Sequence, residues 1–399
     1  MKKYLLAFMA FVCVSANAQT DWTGTWATAV EFTGPSDMPK TTLAGKTVRQ
    51  IIQVSIPGDE LQLMLSNEFG DKPVEIKSVY IADALDSCDI VKKGATYLKF
   101  NGAKSVTIAP GETAMSDIFK YKLKIWQRLS INICYGDQVP EHATSHRGSR
   151  TTSYIAQGEV KPGQKFPTME KVDHWYNISQ LLVRTDKKAI AVLGNSITDG
   201  RGSTTNLQNR WPDFLAAHVD CGVLNLGIGG NAVVQGGLSQ PALVRFDRDI
   251  LGQKGVDKLI IFEGVNDIGG SRHAEKTTTD LINAYKTLVD KAHAAGIEKV
   301  YGATITPFKG NGYFTPFHET SRQVVNEWIR TSGVFDGVID FDLLVRDSDD
   351  HQKLQQKYSD DWLHLNPEGY KAMGEFAAKV IFDPVFVNFD LPLINSGVK

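Results

Sequence analysis

The stretch Ala189-Ile190-Ala191-Val192-Leu193-Gly194-Asn195-Ser196-Ile197-Thr198-Asp199-Gly200 decides the fold. It opens on an unbroken apolar run, Ala189–Leu193, and ends in a glycine-containing turn. A short continuous apolar run bounded by turn residues is the pattern of a strand buried on both faces, and such strands belong to parallel sheets covered by helices. Downstream the pattern repeats. Apolar runs lie at Val223–Leu226, Lys258–Phe262, Val300–Ile305 and Gly337–Phe341, with helical segments between them. The clearest helix is predicted over Asp280–Ala295. There Leu281, Ile282, Tyr285, Leu288, Val289 and Ala292 keep one apolar face, and Gly296 closes the helix. Residues 187–382 therefore predict a parallel, three-layer α/β/α sheet.

Upstream the period changes. Residues 20–185 carry short alternating segments at Thr47–Ile56, Glu60–Leu65, Val74–Ile81, Lys104–Ile108, Tyr121–Ile133 and Ile178–Val183, separated by turns such as Pro57-Gly58-Asp59. Many short strands without a long helical period predict a β-sandwich. The join near Thr185-Asp186-Lys187-Lys188 is short and polar, so the two parts are expected to pack closely. At the N-terminus, Lys2 and Lys3 precede the apolar segment Tyr4–Val14, and Ala16-Asn17-Ala18 is a small-x-small cleavage site. This predicts a signal peptide and a soluble protein exported to a periplasm or the outside. Phe11 and Val12 are too bulky to make Cys13 a lipoprotein cysteine. The expected division is residues 1–18 signal peptide, 19–185 β-sandwich and 186–399 α/β domain.

Composition narrows the classes. A chain of 399 residues exceeds one ordinary domain, which holds about 100–200. The net charge of −2 argues against a nucleic-acid binder. A hydrophobic share of 42% argues against disorder. Beyond the N-terminus no apolar run reaches the length of a membrane span, so no stable membrane insertion is expected. After Cys13, the cysteines Cys88, Cys134 and Cys221 are too few and too odd in number for a disulfide framework. One bridge between Cys88 and Cys134, or ordinary thiols, both fit. No zinc spacing occurs, and neither a metal nor an organic cofactor is expected. Asp347-Ser348-Asp349-Asp350 reads as a solvated acidic loop, because no full calcium-loop pattern follows it.

In open parallel sheets, sites lie at the carboxyl ends of strands. Ser196 stands at such an end, one residue past the turn, where a hydroxyl is exposed as a nucleophile needs. The segment is not the G-x-S-x-G elbow, since Thr198 follows two residues later, and such turns also bind phosphate. The second strand ends in Asn225-Leu226-Gly227-Ile228-Gly229-Gly230-Asn231. Its glycines allow a backbone N–H to approach a developing oxyanion. Gly227-x-Gly229 lacks the first-strand placement and ribose-binding acid of a dinucleotide loop. The third strand ends in Gly264-Val265-Asn266-Asp267, where the Asn266 amide can donate to the same oxyanion. Last comes Asp361-Trp362-Leu363-His364-Leu365-Asn366-Pro367. Asn366 reads as a helix cap and Pro367 as the first helical residue, so His364 lies in a loop with Asp361 in reach of its ring. A histidine so held can take a serine proton while the carboxylate fixes its tautomer. Asp290-Lys291-Ala292-His293 has the same spacing but sits inside a predicted helix, and reads as a surface pair. His142, His146, His174, His218, His273, His318 and His351 read as structural or solvated.

The four blocks, in this order, resemble the SGNH (GDSL-like) hydrolase superfamily over roughly Ala189 to Ile381. The resemblance implies a flavodoxin-like catalytic domain over 186–399, with Ser196 as nucleophile and Asp361 and His364 completing a triad. It implies an oxyanion hole from the N–H groups of Ser196 and Gly230 and the side chain of Asn266, with Gly229 the alternative to Gly230. The family commonly has Asp where Asn195 stands here. Arg210-Trp211-Pro212-Asp213, Arg245-Phe246-Asp247-Arg248-Asp249, Glu263 to Gly269 and Asn326-Glu327-Trp328-Ile329-Arg330 are similar to a branch resembling bacterial acetyl xylan esterases. In that branch a β-rich region precedes the hydrolase domain and carries a segment like His146–Tyr154, which is expected either to approach the active site or to pack between domains. The implied function is a secreted serine esterase that removes O-acetyl or other short acyl groups from a plant polysaccharide or its oligosaccharides, such as xylan or pectin. Two other readings stay open. One is a lipase or lysophospholipase with the same triad. The other is a carbohydrate-binding protein with an inert hydrolase domain, using Trp22, Trp26 and Trp175 as a sugar-stacking face.

Overall fold

Strand β1 (Ala189–Gly194) lies inside a five-stranded parallel sheet of the computed structural model, which describes residues 21–85 and 87–382. Its neighbours are β2 (Gly222–Gly227) and β3 (Val256–Phe262), and β4 (Lys299–Ala303) and β5 (Gly337–Ile339) follow on the β3 side. The strand order is β2-β1-β3-β4-β5. Connections leave β1 in opposite directions, so a crevice opens at its carboxyl end. The register brings Gly194 level with Gly227 on one side and Phe262 on the other.

The continuous apolar run of β1 is explained by burial on both faces. Ala189, Ala191 and Leu193 join a core with Leu281 and Leu288 of a helix over Ala274–Ala294 and Val325 and Ile329 of a helix over Pro316–Thr331. Ile190 and Val192 join a second core with Trp211 and Leu215 of a helix over Trp211–Ala216 and Met373 and Ala377 of the helix Pro367–Phe382.

Residues 21–185 form antiparallel strands. One sheet contains Asp21–Ala27, Ile178–Thr185 and Gly58–Ser66; another is centred on Lys46–Gln53, Arg128–Tyr135 and Val74–Asp83. Leu61, Leu63 and Leu181 of the first share one core with Val48, Ile52, Val79 and Ile131 of the second. A third sheet joins Glu31–Phe32, Thr144–Arg147 and His174–Tyr176. The two parts of the chain meet closely. Gly24 N donates to the Lys254 carbonyl at 3.0 Å, Thr23 Oγ1 to that of Lys187 at 2.7 Å, and Val223 N to Ser55 Oγ at 3.0 Å.

Several expectations need correction. The segment Tyr121–Ile133 is two strands, Phe119–Leu123 and Arg128–Tyr135, because Trp126 adopts φ +55° and turns the chain. The strand expected over Gly337–Phe341 ends at Ile339, where Asp340 caps a short helix through Leu343 N. His293 pairs with Asp336 at 2.8 Å rather than with Asp290. Trp26 and Trp175 are 5% and 2% exposed and meet edge to face in the core, so they offer no sugar-stacking face. Cys88, Cys134 and Cys221 are free thiols. Asp347 accepts from the amides of Asp349 and Asp350, and Asp350 pairs with Lys309 at 2.7 Å. The expected signal peptide lies outside the described residues, among which no helix is long and apolar enough to cross a membrane.

Candidate active site

Ser196 begins a single helical turn, Ser196–Asp199, directly after β1. Asn195 caps this turn in extended conformation, its Oδ1 accepting from Ile197 N at 3.0 Å. Its Nδ2 donates to Glu263 Oε2 at 3.2 Å. Both ends of the Asn195 amide are thus used, which holds the serine turn in one conformation. Ser196 Oγ lies 2.9 Å from His364 Nε2, and His364 Nδ1 lies 2.7 Å from Asp361 Oδ2.

The loop that carries the histidine is organised by its own aspartate. Asp361 Oδ1 accepts from Leu363 N at 3.0 Å and from His364 N at 2.8 Å, leaving Oδ2 for the ring. Trp362 between them takes φ +61°, a conformation that costs a non-glycine residue energy and is kept here by the turn. Asn366 then accepts from Glu368 N and Gly369 N, both at 3.1 Å, and starts the last helix at Pro367. Burial holds the His364 ring below its ordinary pKa. The bond and charge of Asp361 oppose this, and the nearby cations Arg201 and Arg150 reinforce it. A neutral imidazole with Nδ1–H on Asp361 leaves Nε2 free to accept from Ser196. Burial pushes the Asp361 carboxyl up, but its bonds from His364 outweigh this and keep it below the usual range.

Gly230 and Asn266 face the same cleft. Gly230 has φ +71°, and a Cβ there would meet the Leu238 side chain at 2.9 Å. Asn266, on a short helix over Val265–Gly269, donates through Nδ2 to the Asn231 carbonyl at 2.7 Å and accepts from the Tyr313 hydroxyl at 3.0 Å. These bonds orient the amide and use one of its two N–H groups. The cleft encloses about 380 Å³ and is lined by Ser196, His364, Gly229, Gly230 and Asn266 among others.

Beneath the strand ends lies a fully buried arginine. Arg245 donates to the carbonyls of Gly194 (3.1 Å) and Leu226 (2.8 Å), to Asn231 Oδ1 (2.9 Å) and to Asp249 (3.1 Å). It thereby ties the serine turn, the second strand end and the glycine loop together. Glu263 lies 3.5 Å from the same guanidinium. Complete burial outweighs this charge and pushes the Glu263 pKa up to about 8. Asp267 accepts from Val233 N and Val234 N, pinning the glycine loop; burial outweighs these bonds and raises its pKa to about 6.

The structure adds residues that spacing did not single out. Glu31, Asp37, Arg147, Gly148, Arg150 and His174, all from the antiparallel part, line the cleft beside Ser196. The segment His146–Tyr154 therefore does both things that were open for it: it walls the cleft and it joins the two parts. His146, read from sequence as structural or solvated, is buried. Its Nε2 lies 2.9 Å from Asp199 and its Nδ1 2.8 Å from the Ala29 carbonyl. Arg150 donates to the other oxygen of Asp199 at 2.9 Å. The signal for Asp199 was its place at the end of the serine turn, but its partners are about fifty residues upstream, beyond any local pattern.

Residues 192–372 match the model of the GDSL-like lipase/acylhydrolase family, and all five candidate site residues fall within that span. No curated protein matches the sequence. Among solved structures, a protein of the G-D-S-L family from Desulfitobacterium hafniense is 25% identical, with 49% of this chain and 99% of that chain covered at a TM-score of 0.40. A carbohydrate acetylesterase from Sinorhizobium meliloti is 17% identical, covering 49% and 98% at 0.38. A variant of an acetyl-xylooligosaccharide esterase from Geobacillus is 18% identical, covering 49% and 94% at 0.37. The ordered blocks and the family match fall in the same residues, so it is the region 192–372 that matches the GDSL-like lipase/acylhydrolase, or SGNH, family.

Proposed function

We propose that the protein is an exported serine esterase that removes O-acetyl or other short acyl groups from carbohydrate. The observation that carries this reading is the chain Ser196 Oγ, His364 Nε2, His364 Nδ1, Asp361 Oδ2, with links of 2.9 and 2.7 Å, opening into a cleft lined by several charged side chains. Ser196 attacks the ester carbonyl as His364 takes its proton. The oxyanion is held by the N–H groups of Ser196 and Gly230 and by Asn266. His364 returns the proton to the leaving sugar oxygen. It then deprotonates the water that releases the carboxylic acid from the acyl-enzyme. Residues 186–399 form the catalytic domain in this reading, residues 19–185 a β-sandwich beside it, and residues 1–18 the export signal.

The cleft supports a short acyl group. Most of the residues that line it are charged or polar, and its apolar and aromatic side chains are Leu238, Tyr313 and Leu363. A lipase needs a longer apolar channel. The test is a series of 4-nitrophenyl esters of increasing chain length together with acetylated xylo-oligosaccharides, for the wild type and Ser196→Ala. We expect turnover of acetyl esters, a steep fall with chain length and a loss of about 10⁴–10⁶ in kcat for Ser196→Ala. A maximum at long acyl chains would favour the lipase, and sugar binding without turnover would favour an inert binding protein.

A further inference from the structure

We propose that the cleft recognises an anionic group on the sugar that bears the ester, through a cationic wall formed by Arg201 and Arg150. This rests on the esterase reading and extends it to the class of substrate.

Charge bookkeeping around the cleft leads to Arg201. Of the acids in the cleft wall, Glu31 is held by Arg147 at 2.6 Å and by the Ser239 hydroxyl, and Asp37 lies 3.5 Å from the same Arg147. Asp199 takes His146 on one oxygen and Arg150 on the other. Both ring nitrogens of His146 face acceptors, so the ring donates twice and is a cation. No described acid remains for Arg201, whose side chain is exposed in the cleft wall. Its backbone, by contrast, is fixed. Arg201 N donates to the Ser196 carbonyl at 2.9 Å, and its own carbonyl accepts from the Tyr370 hydroxyl. Gly202, at φ +95°, packs so tightly that a Cβ would lie 2.3 Å from the Leu365 carbonyl. The guanidinium therefore springs from a rigid point between the serine turn and the histidine loop. Arg150 is fixed by Asp199, and the charges of both arginines reach His364.

A guanidinium fork fits a carboxylate or sulfate, and each can be offered next to a sugar ester. The geometry therefore matches an O-acylated uronate, or a sulfated acyl sugar, in preference to a neutral one. Arg201 is the variable contact, because Arg150 is already engaged.

The test compares an O-acetylated galacturonate oligosaccharide with its methyl ester, which removes the carboxylate charge, and a sulfated acetylated oligosaccharide of otherwise neutral sugars with its unsulfated counterpart. For the wild type we expect kcat/KM for the free acid to exceed that for the methyl ester about tenfold, mainly through KM, with the gap narrowing as salt screens it. Arg201→Gln should collapse this ratio. Ser196→Ala protein, which cannot turn over, should bind the free acid more tightly than the methyl ester by calorimetry. If only the sulfated sugar shows the advantage, the anion subsite stands and the uronate is excluded as its source. Equal kcat/KM for acid and methyl ester together with no advantage of the sulfated sugar over its unsulfated counterpart, or charge advantages that persist unchanged in Arg201→Gln, overturns the proposal. Lack of any 4-nitrophenyl acetate hydrolysis by the wild type overturns the esterase reading itself, and the calorimetric comparison still decides the subsite.

Discussion

At the scale of single residues, the proposed proton transfer rests on His364. Its burial and the cations Arg201 and Arg150 lower its pKa from 6.5, and Asp361 only partly reverses this. Because the base works unprotonated, kcat/KM rises with pH through this value. The acid limb is therefore expected below pH 6.5, with a plateau above it. Arg150→Gln removes a positive charge and should move the limb upward; a pH–rate profile checks both. Asn195 makes a second residue-scale prediction. Its family counterpart is commonly Asp, but here Nδ2 donates to the buried Glu263. An aspartate would keep the cap on Ile197 N but replace the Nδ2 donor with a second carboxyl group against the buried Glu263. Asn195→Asp should cost about 1–3 kcal/mol of stability and slow turnover. Adding Glu263→Gln, whose amide can donate to the new aspartate, should restore both. Urea titrations and 4-nitrophenyl acetate kinetics on the single and double variants measure this, and an unperturbed Asn195→Asp protein would contradict it.

At the scale of elements, the site is an agreement among loop ends that have no direct contact along the sequence. β1 presents the serine turn, β2 the glycine loop, β3 the Asn266 turn, and the final helix is preceded by the histidine loop. Arg245 joins the first two by bonding to carbonyls on β1 and β2, to Asn231 and to Asp249. Removing it leaves two carbonyls and Asn231 Oδ1 short of a donor in a dry interior and leaves Asp249 with Arg248 alone. Arg245→Met should lower stability by about 3–5 kcal/mol, the range for breaking a buried ion pair. Chemical denaturation reads the loss directly.

At the scale of the whole molecule, the antiparallel part is a wall of the cleft. Its main tie to the serine turn is His146, set between Asp199, Glu31 and the Ala29 carbonyl and stacked on Trp175. Burial lowers the His146 pKa, but the bond to Asp199 and the charges of Asp199 and Glu31 outweigh it, and the net shift is upward. A raised histidine stabilises fully below the unfolded value of 6.5 and loses that contribution as pH rises through the folded value. His146→Gln keeps a hydrogen-bonding group and loses the charge. It should be less stable than the wild type by about 1–3 kcal/mol below that window, with the difference shrinking on its alkaline side. Denaturation midpoints across the pH range test the sign. A constant difference would mean that the ring is neutral.

Much of the fold was legible in the chain itself. The continuous apolar runs of β1 to β4 mark strands covered on both faces, since only such burial removes the need for alternation. Ser196, Gly230, Asn266, Asp361 and His364 were legible for a related reason: each lies where a strand ends or a helix begins, and those points converge in a parallel sheet. Local patterning also marked the Asn366 cap, because capping acts within one turn of chain. What local patterning could not reach was charge pairing across the molecule. Asp199 with His146 and Arg150, Arg245 under the strand ends, and Glu263 opposite Asn195 depend on which surfaces meet. Tryptophans in the antiparallel part read alike as core or as binding face, until packing buried Trp26 and Trp175. The sequence by itself determined the periodicities, the turns and the order of the chemical groups, all set by neighbours along the chain. Only the tertiary structure decided which charges are matched and which, like Arg201, find no acid among the described residues, because an ion pair is a fact about distance in space.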